Sequence, residues 1–483
     1  AHVRLPALAW GEKDGTVTNS ERRISRQRAF LPPPGEARAD GWIICQVAQR
    51  LGWNAAFDYP SAWHVFAEHA RLSGYRNGGT RLFDIAALAE LGAAGYDALQ
   101  PVQWPVQPGG LGTARLLPQG RARLLPLAGH LPKNAPDSAY PLILNTGRIR
   151  DQWHTMTRSA RSPRLNRHLP EPYAEIHPAD AQRCDIQDGM LVQLSSPWGK
   201  ALARAKVSRE QRQGSVFMPM HWSDHYARQA LVNALVNPVT DPLSGQPEFK
   251  HTPLRIEAYR PAWQGFLLTR RDAVDRGGAD CVGYAVRTFD GSERYAQRTL
   301  LFSPQTALDA TPSASGPPLC YCVQSLAKNH WRYELAGETP PADWQQQARQ
   351  WLAADADSRE WLDFLDTGTG RYRAAVLSDG RLESCLFIAP NHELPPREWL
   401  AALFEQEPLS DQARQSLLVG KPASHSDDKG KVVCACFNIG QNTLKRAITE
   451  QKLSSVEQIG RVLKAGSNCG SCIPELRQLL RLE

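Results

Sequence analysis

No run of about 18 apolar residues occurs in this sequence, which excludes a helix built to span a bilayer. A secretory signal is lacking too: Ala1-His2-Val3-Arg4-Leu5-Pro6 has neither an apolar core nor a cleavage-like segment. That opening has no initiator Met, and Trp10 to Arg28 already reads as the interior of a folded domain, so the expectation is the C-terminal portion of a longer protein. Basic blocks are scarce as well. The net charge is +7, but no concentrated stripe or aromatic-interleaved patch is present, so nucleic-acid binding is not expected. The ten cysteines lack the distribution of a secreted disulfide framework; four form two tight pairs near the C-terminus. A chain this long buries a core without staples, so the cysteines point to metal-ligating thiolates in a reducing cytoplasm. No repeat of the solenoid kind is found.

What is present reads as a multidomain α+β protein of 483 residues, 42% hydrophobic and 22% charged. Residues 1–105 mix helical and loop patterns. Asp40–Leu51 is predicted helical, with Trp42, Ile43, Val47 and Leu51 on one side, and Arg81–Leu91 gives a second helix. Residues 106–139, rich in Pro and Gly, read as a linker or a long covering loop. From 140 to 258 the texture becomes short strands and tight turns: Pro141–Asn145, Tyr173–Ile176, Met190–Ser195, Ala201–Val207 and Ser215–Met220, with a short helix over Ala179–Arg183. Such a pattern predicts a closed or partly closed barrel ending near Glu257. Residues 265–422 form an α+β region. Its expected elements are strands at Gly265–Thr269, Cys281–Phe289 and Arg294–Phe302, a helix over Ala342–Leu365, and a hairpin of Tyr372–Leu377 and Leu382–Ile388 about Asp379-Gly380. A polar hinge, Ser424–Lys431, precedes the last module, 432–483.

That module holds Cys434-Ala435-Cys436 and Cys469-Gly470-Ser471-Cys472. Four soft thiolates suit either a structural zinc or a [2Fe–2S] rhomb. The C-x-C pair favours iron–sulfur, since zinc sites commonly use pairs two to four residues apart. Helices are predicted over Asn442–Glu450, Val456–Leu463 and Glu475–Leu480, the last opened by Pro474, whose turn aims backbone N–H groups toward the thiolates. Through Val433-Cys434-Ala435-Cys436, Gly466-Ser467-Asn468-Cys469-Gly470-Ser471-Cys472 and Pro474-Glu475-Leu476, residues 432–481 resemble the bacterioferritin-associated-ferredoxin-like [2Fe–2S] domain. The resemblance implies Cys434, Cys436, Cys469 and Cys472 as cluster ligands. Cys320-Tyr321-Cys322 has no C-x-x-C partner; it and the isolated Cys281 and Cys385 read as buried or partly exposed thiols.

Between the linker and Glu257 the residues carry a second resemblance. It runs through Leu144-Asn145-Thr146-Gly147-Arg148, Asp151-Gln152-Trp153-His154-Thr155-Met156-Thr157, Glu175-Ile176-His177-Pro178-Ala179-Asp180-Ala181, Pro219-Met220-His221-Trp222, Val232-Asn233-Ala234-Leu235 and Gln246-Pro247-Glu248-Phe249-Lys250. These resemble the pterin-dinucleotide-binding domain of molybdopterin bis-guanine-dinucleotide oxidoreductases, which implies a double-psi β-barrel. Trp10–Gly15 and Thr18–Arg23 resemble the end of the preceding α/β catalytic domain, so residues 1–105 are its expected remnant. The implied cofactor contacts are Thr146, Gly147, Arg148, Gln152, Trp153, His154, Thr155, Met156, Thr157, His221, Trp222, Asn233 and Lys250. The residue types suit the ligand: a Gly turn lets backbone amides approach pyrophosphate, Arg148 can bridge phosphate oxygens, and Trp153 offers a flat wall. Arg148, Arg150, Arg158, Arg161, Arg164 and Arg167 gather in this segment, either for a polyanionic ligand or as a solvated basic face.

Within that superfamily, the Gln152–Thr157 run together with a C-terminal [2Fe–2S] module resembles the assimilatory nitrate reductase catalytic subunits of bacteria. The resemblance implies a cytoplasmic enzyme reducing nitrate to nitrite at molybdenum, with the appended cluster as the entry for electrons from a flavoprotein or ferredoxin, and neither nucleic acid nor membrane as partner. The strands at 372–388 resemble, more weakly, the small β-domain before such modules in nitrite reductases. The cysteines of the family's [4Fe–4S] cluster and its molybdenum ligand have no counterpart in this sequence, so no catalytic residue is assigned. A formate dehydrogenase-like molybdoenzyme and a stand-alone iron–sulfur carrier remain as alternatives.

Overall fold

The computed structural model describes residues 5–107, 110–111, 124, 126, 129, 131–270, 319–352, 359–422 and 429–481. The expected strands at 281–289 and 294–302, most of the linker and most of the hinge lie outside these residues. The chain divides into two units, 1–130 and 131–483.

In the first unit, β1 (Gly15–Thr18), β2 (Arg23–Gln27) and β3 (Val102–Gln103) form one sheet, and β4 (Val106–Gln107) pairs with β5 (Gly110–Leu111). Helix α1 (Asp40–Arg50) forms where the apolar spacing predicts it, yet Trp42, Val47 and Leu51 are exposed and only Ala48 is buried. The other predicted helix, Arg81–Leu91, is reduced to a single turn at Ala86–Leu88. The reason is local: Asp84 Oδ1 takes the Ala86 N–H, a donor the helix would have used, while Asn77 Oδ1 takes the Arg81 N–H. The helices that pack there are α2 (Ala62–Gly74) and the short α3 (Gly92–Asp97), around Phe66, Ala70, Ile85 and Tyr96.

The second unit begins with the barrel. Its strands are β6 (Leu142–Gly147), β7 (Tyr173–Ile176), β8 (Leu191–Ser196), β9 (Gly199–Val207) and β10 (Ser215–Pro219), followed after β11 (Ala227–Arg228) by β12 (Thr252–Ala258). They close in the order β10-β6-β12-β8-β9-β7, with β10–β6 and β7–β9 parallel. Alternation along β6 turns Leu142, Leu144 and Thr146 inward, and the interior is filled by Ile176, Leu191, Leu194, Val216 and Leu254. The short helices α4 (Pro163–Asn166) and α5 (Pro178–Arg183) sit in its connections.

Beside the barrel lies a seven-stranded sheet in the order β11-β14-β15-β13-β18-β17-β16. Its members after β11 are β13 (Trp263–Thr269), β14 (Leu319–Leu326), β15 (Trp331–Gly337), β16 (Glu360–Asp366), β17 (Arg371–Ser378) and β18 (Arg381–Ala389). The β17–β18 hairpin turns at Asp379-Gly380, both at positive φ. The expected helix over 342–365 is corrected. Helix α6 covers only Trp344–Leu352, and 360–366 is an edge strand paired with β17 through a turn in which Asp366 Oδ1 accepts the Gly368 and Thr369 N–H groups. Pairing with a formed neighbour overrode the helical composition. Cys320 and Tyr321 enter the barrel core while Cys322 enters the sheet core and Cys385 is also buried, so these thiols sit in the packed interior; Cys281 lies outside the described residues.

Helices α7 (Arg397–Leu403) and α8 (Asp411–Ser416) cover the far face of the sheet. The last module pairs β19 (Val432–Cys434) with β20 (Ile439–Gly440) and adds α9 (Gln441–Gln451), α10 (Val456–Leu463) and α11 (Ile473–Arg481) around Leu444, Ile448, Ile459 and Leu476. Among the described residues no helix is long and apolar enough to cross a membrane.

Candidate functional site

Two sites share one stretch of chain. Strand β6 delivers Thr146 and Gly147 to the barrel rim. Thr146 Oγ1 donates to the Met218 carbonyl at 2.7 Å, and Lys250 Nζ folds back to donate to the Thr146 carbonyl. A Cβ at Gly147 would lie 3.3 Å from both Lys250 Nζ and Phe217, so the missing side chain is what leaves the rim open to a ligand.

After the strand, Arg148 lies over the Trp153 ring at 5.8 Å, and both are exposed. The turn 153–156 is sharply wound, with His154 and Met156 at positive φ. His221 holds this turn. Its Nε2 accepts the Ile149 N–H at 2.9 Å, so the proton sits on Nδ1 and is donated to the His154 carbonyl at 2.6 Å. Burial lowers the pKa of His221, which keeps the ring neutral in that tautomer.

The predicted contacts thus divide into two groups. Gln152, Met156, His221 and Trp222 are buried: Gln152 donates to Asn166 at 3.1 Å and accepts from Ser159 at 2.7 Å, and Met156 packs in the barrel core. They shape the rim from within. Arg148, Trp153, His154, Thr155, Thr157, Asn233 and Lys250 are exposed on it. Trp222 Nε1, Ser223 Oγ, Glu248 Oε2 and His251 Nδ1 are buried without a hydrogen-bond partner. Unsatisfied buried polar atoms in loops around a rim are what a polar, multiply hydrogen-bonding ligand would complete, and the residues present fit a pterin dinucleotide on this ground.

At the cysteine module the sulfurs come in two pairs. Cys436 Sγ is 3.3 Å from Cys469 Sγ, and Cys472 pairs with Cys434. Among the described residues no three His, Cys, Asp or Glu side chains gather on a single metal-ion position. Two close pairs suit a binuclear [2Fe–2S] rhomb, which takes two thiolates per iron. Burial and the adjacent Cys434 push the Cys472 thiol up to about 11, so a thiolate there calls for a neighbouring cation such as iron. The Ser471 hydrogen bonds draw Cys469 below its ordinary value. Cys472 directly precedes α11, and Gly466 and Gly470, both at positive φ, bend the second loop around the sulfurs.

The sequence reading missed how the two sites are joined. Arg150 Nη1 donates to the Ser471 carbonyl at 2.8 Å and to Glu475 Oε1 at 3.1 Å, and Nη2 to the Val433 carbonyl at 3.0 Å. Arg164 donates to the carbonyls of Ala435 (3.4 Å) and Cys436. The basic segment is therefore neither wholly a ligand clamp nor a solvated face. Two of its arginines grip the cysteine loops, a role with no local sequence signal because the partners are 271 to 325 residues away.

Residues 142–253 match the Molydopterin dinucleotide binding domain, residues 432–481 the BFD-like [2Fe-2S] binding domain, and residues 1–50 Molybdopterin oxidoreductase. A nitrate reductase of Klebsiella oxytoca is 39% identical across 99% of this chain and 50% of its own length. The assimilatory nitrate reductase catalytic subunit of Bacillus subtilis is 35% identical over 53% of this chain and 36% of its own. The F420-dependent formate dehydrogenase subunit alpha of Methanocaldococcus jannaschii is 34% identical over 53% and 37%. The chain spans about half the length, or less, of these curated relatives. It carries a molybdopterin-dinucleotide-binding domain and a [2Fe–2S]-binding domain.

Proposed function

We propose that this chain, built of molybdopterin oxidoreductase and [2Fe–2S] domains, is the part of a cytoplasmic assimilatory nitrate reductase that clamps the guanine dinucleotide and relays electrons through its cluster. The observation that carries the reading is the short run from Thr146 to Arg150, which serves the pterin rim at one end and grips both cysteine loops at the other. The bound molybdenum dinucleotide would supply two-electron oxygen-atom transfer, and the cluster one-electron steps from a flavoprotein or ferredoxin. The chain's own residues bind and orient. Gly147 admits the dinucleotide, Arg148, Thr155 and Thr157 offer it charge and hydrogen bonds, Trp153 walls it, and His221 fixes the turn that presents them. Asn233 and Lys250 take the late contacts from the facing loops. No residue of this chain is assigned to a [4Fe–4S] cluster or to ligation of molybdenum.

Nitrate is preferred over formate because one nitrate reductase, that of Klebsiella oxytoca, is similar across 99% of the chain, while the Bacillus subtilis nitrate reductase and the formate dehydrogenase subunit are each similar over 53%. The test is the assembled enzyme containing this chain, supplied with a reduced dye and nitrate. Nitrite formed in stoichiometry with dye oxidised is the expected result; formate oxidation without nitrate reduction would overturn the assignment.

A further inference from the structure

The contacts of Arg150 do more than join two domains. Every carbonyl that Arg150 and Arg164 engage belongs to, or is adjacent in sequence to, a cluster cysteine: Val433 before Cys434, Ala435 between the pair, Cys436 itself, and Ser471 before Cys472. One guanidinium thus spans both cysteine loops, and a second reinforces the first loop. Arg150 is itself held. Its Nε donates to Asp151 at 3.1 Å, and Asp151 also pairs with His168 at 2.8 Å. The side chains of Arg150, Asp151 and His168 are 19%, 9% and 11% exposed, so water does little to screen them.

We propose that Arg150, supported by Arg164, is a positioning residue that docks the [2Fe–2S] module on the pterin barrel and holds the cluster at a higher reduction potential than an undocked module would have. The inference rests on the reading of the four cysteines as cluster ligands. One-electron reduction makes the cluster more negative, and a fixed guanidinium beside both ligand loops stabilises that state. Asp151 and Glu475 face the same guanidinium and offset part of its charge. Removing it leaves them uncompensated, which moves the potential further in the same direction. The electron itself comes from the external donor and passes on toward molybdenum, so the arginines change the driving force and the geometry but take no part in the electron balance.

The experiment uses the whole chain with its cluster, as wild type, Arg150→Gln, Arg150→Lys and Arg164→Gln. The reduced-state EPR signal is titrated against potential, and hydrogen exchange is followed at the amides of 432–436 and 469–473. Arg150→Gln should lower the reduced-to-oxidised ratio at a fixed potential about tenfold, which for a one-electron couple is a shift of about 59 mV to more negative values. Arg150→Lys keeps the charge but cannot span both loops; it should retain most of the potential and still exchange faster. Arg164→Gln should speed exchange in 432–436 alone. An unchanged potential in Arg150→Gln with full cluster content would overturn the potential-setting role. Unchanged exchange in both Arg150 variants would overturn the docking. A wild-type chain without a [2Fe–2S] signal would sink the cluster reading instead, and the exchange data would still decide the docking.

Discussion

Replacing Glu334 by Gln tests what keeps the barrel and the sheet together beneath the two cofactor sites. Glu334, on β15, is 1% exposed and accepts a two-pronged contact from Arg397, Nε to Oε1 at 3.0 Å and Nη2 to Oε2 at 2.6 Å. Arg332 adds contacts at 2.9 and 2.8 Å, and Arg204 reaches in from β9 of the barrel at 3.9 Å. Burial alone would raise the carboxyl pKa, but Arg397 and Arg332 outweigh it and take it from 4.5 down to about 2. At about 1.36 kcal/mol per pH unit, that depression corresponds to about 3 kcal/mol of stability at neutral pH. The sign follows from the folded value lying below the unfolded one. The contribution is complete above pH 4.5 and is lost as pH falls toward 2, with more than half gone by about pH 3. Glu334→Gln keeps the shape and leaves buried guanidiniums without their counter-charge, a cost of about 3–5 kcal/mol. Urea unfolding followed by tryptophan fluorescence reads the loss, with Trp222 buried in the barrel and Trp263 buried in the sheet among the chain's 14 tryptophans. The variant should unfold well below wild type at pH 7, and the gap should narrow toward pH 3. Equal midpoints at pH 7, or a gap indifferent to pH, would show that the Glu334 carboxylate does not hold the barrel and the sheet together.

Cys469→Ser should abolish the [2Fe–2S] EPR signal and slow turnover with a protein donor, while a small dye still reduces molybdenum directly; equal losses with both donors would contradict the relay. His221→Ala leaves the Ile149 N–H and the His154 carbonyl without their partner, a cost of about 1–3 kcal/mol, and molybdenum content after purification should fall with it. Because burial holds the His221 pKa below 6.5, its contribution is present above pH 6.5 and lost as pH falls through the lower folded value. Thermal melts across that range should show the loss in wild type and not in the variant. Gly147→Ala brings a methyl to 3.3 Å from both Lys250 Nζ, a flexible end that can yield, and the Phe217 ring, so stability should fall by about 1 kcal/mol while bound pterin measured by fluorescence drops sharply.

Much of this was legible in the linear order because it is short-range. The four cysteines with their glycines, the strand–Gly–Arg run at 142–148 and the Asp379-Gly380 hairpin each depend on residues a few positions apart, where spacing and backbone preference decide. Errors came where a neighbour in space overruled that preference. The stretch 360–366 has helical composition but pairs with β17, and Asp84 took the Ala86 N–H that the predicted 81–91 helix would have used. The implied contacts were named as a set but not sorted into buried and exposed, since nothing in Gln152–Thr157 says which side chains turn inward.

By itself the sequence determined the chemistry: which thiolates, amides and guanidiniums exist and how closely neighbours in the chain can bring them. Only the tertiary structure decided that His221 braces the rim from beneath, that the sulfurs gather as two pairs, and that Arg150 turns from the pterin loop to hold the cysteine loops 283 and 321 residues away. The physical reason is that such contacts depend on how barrel, sheet and module pack as solid bodies, and no local periodicity encodes that arrangement.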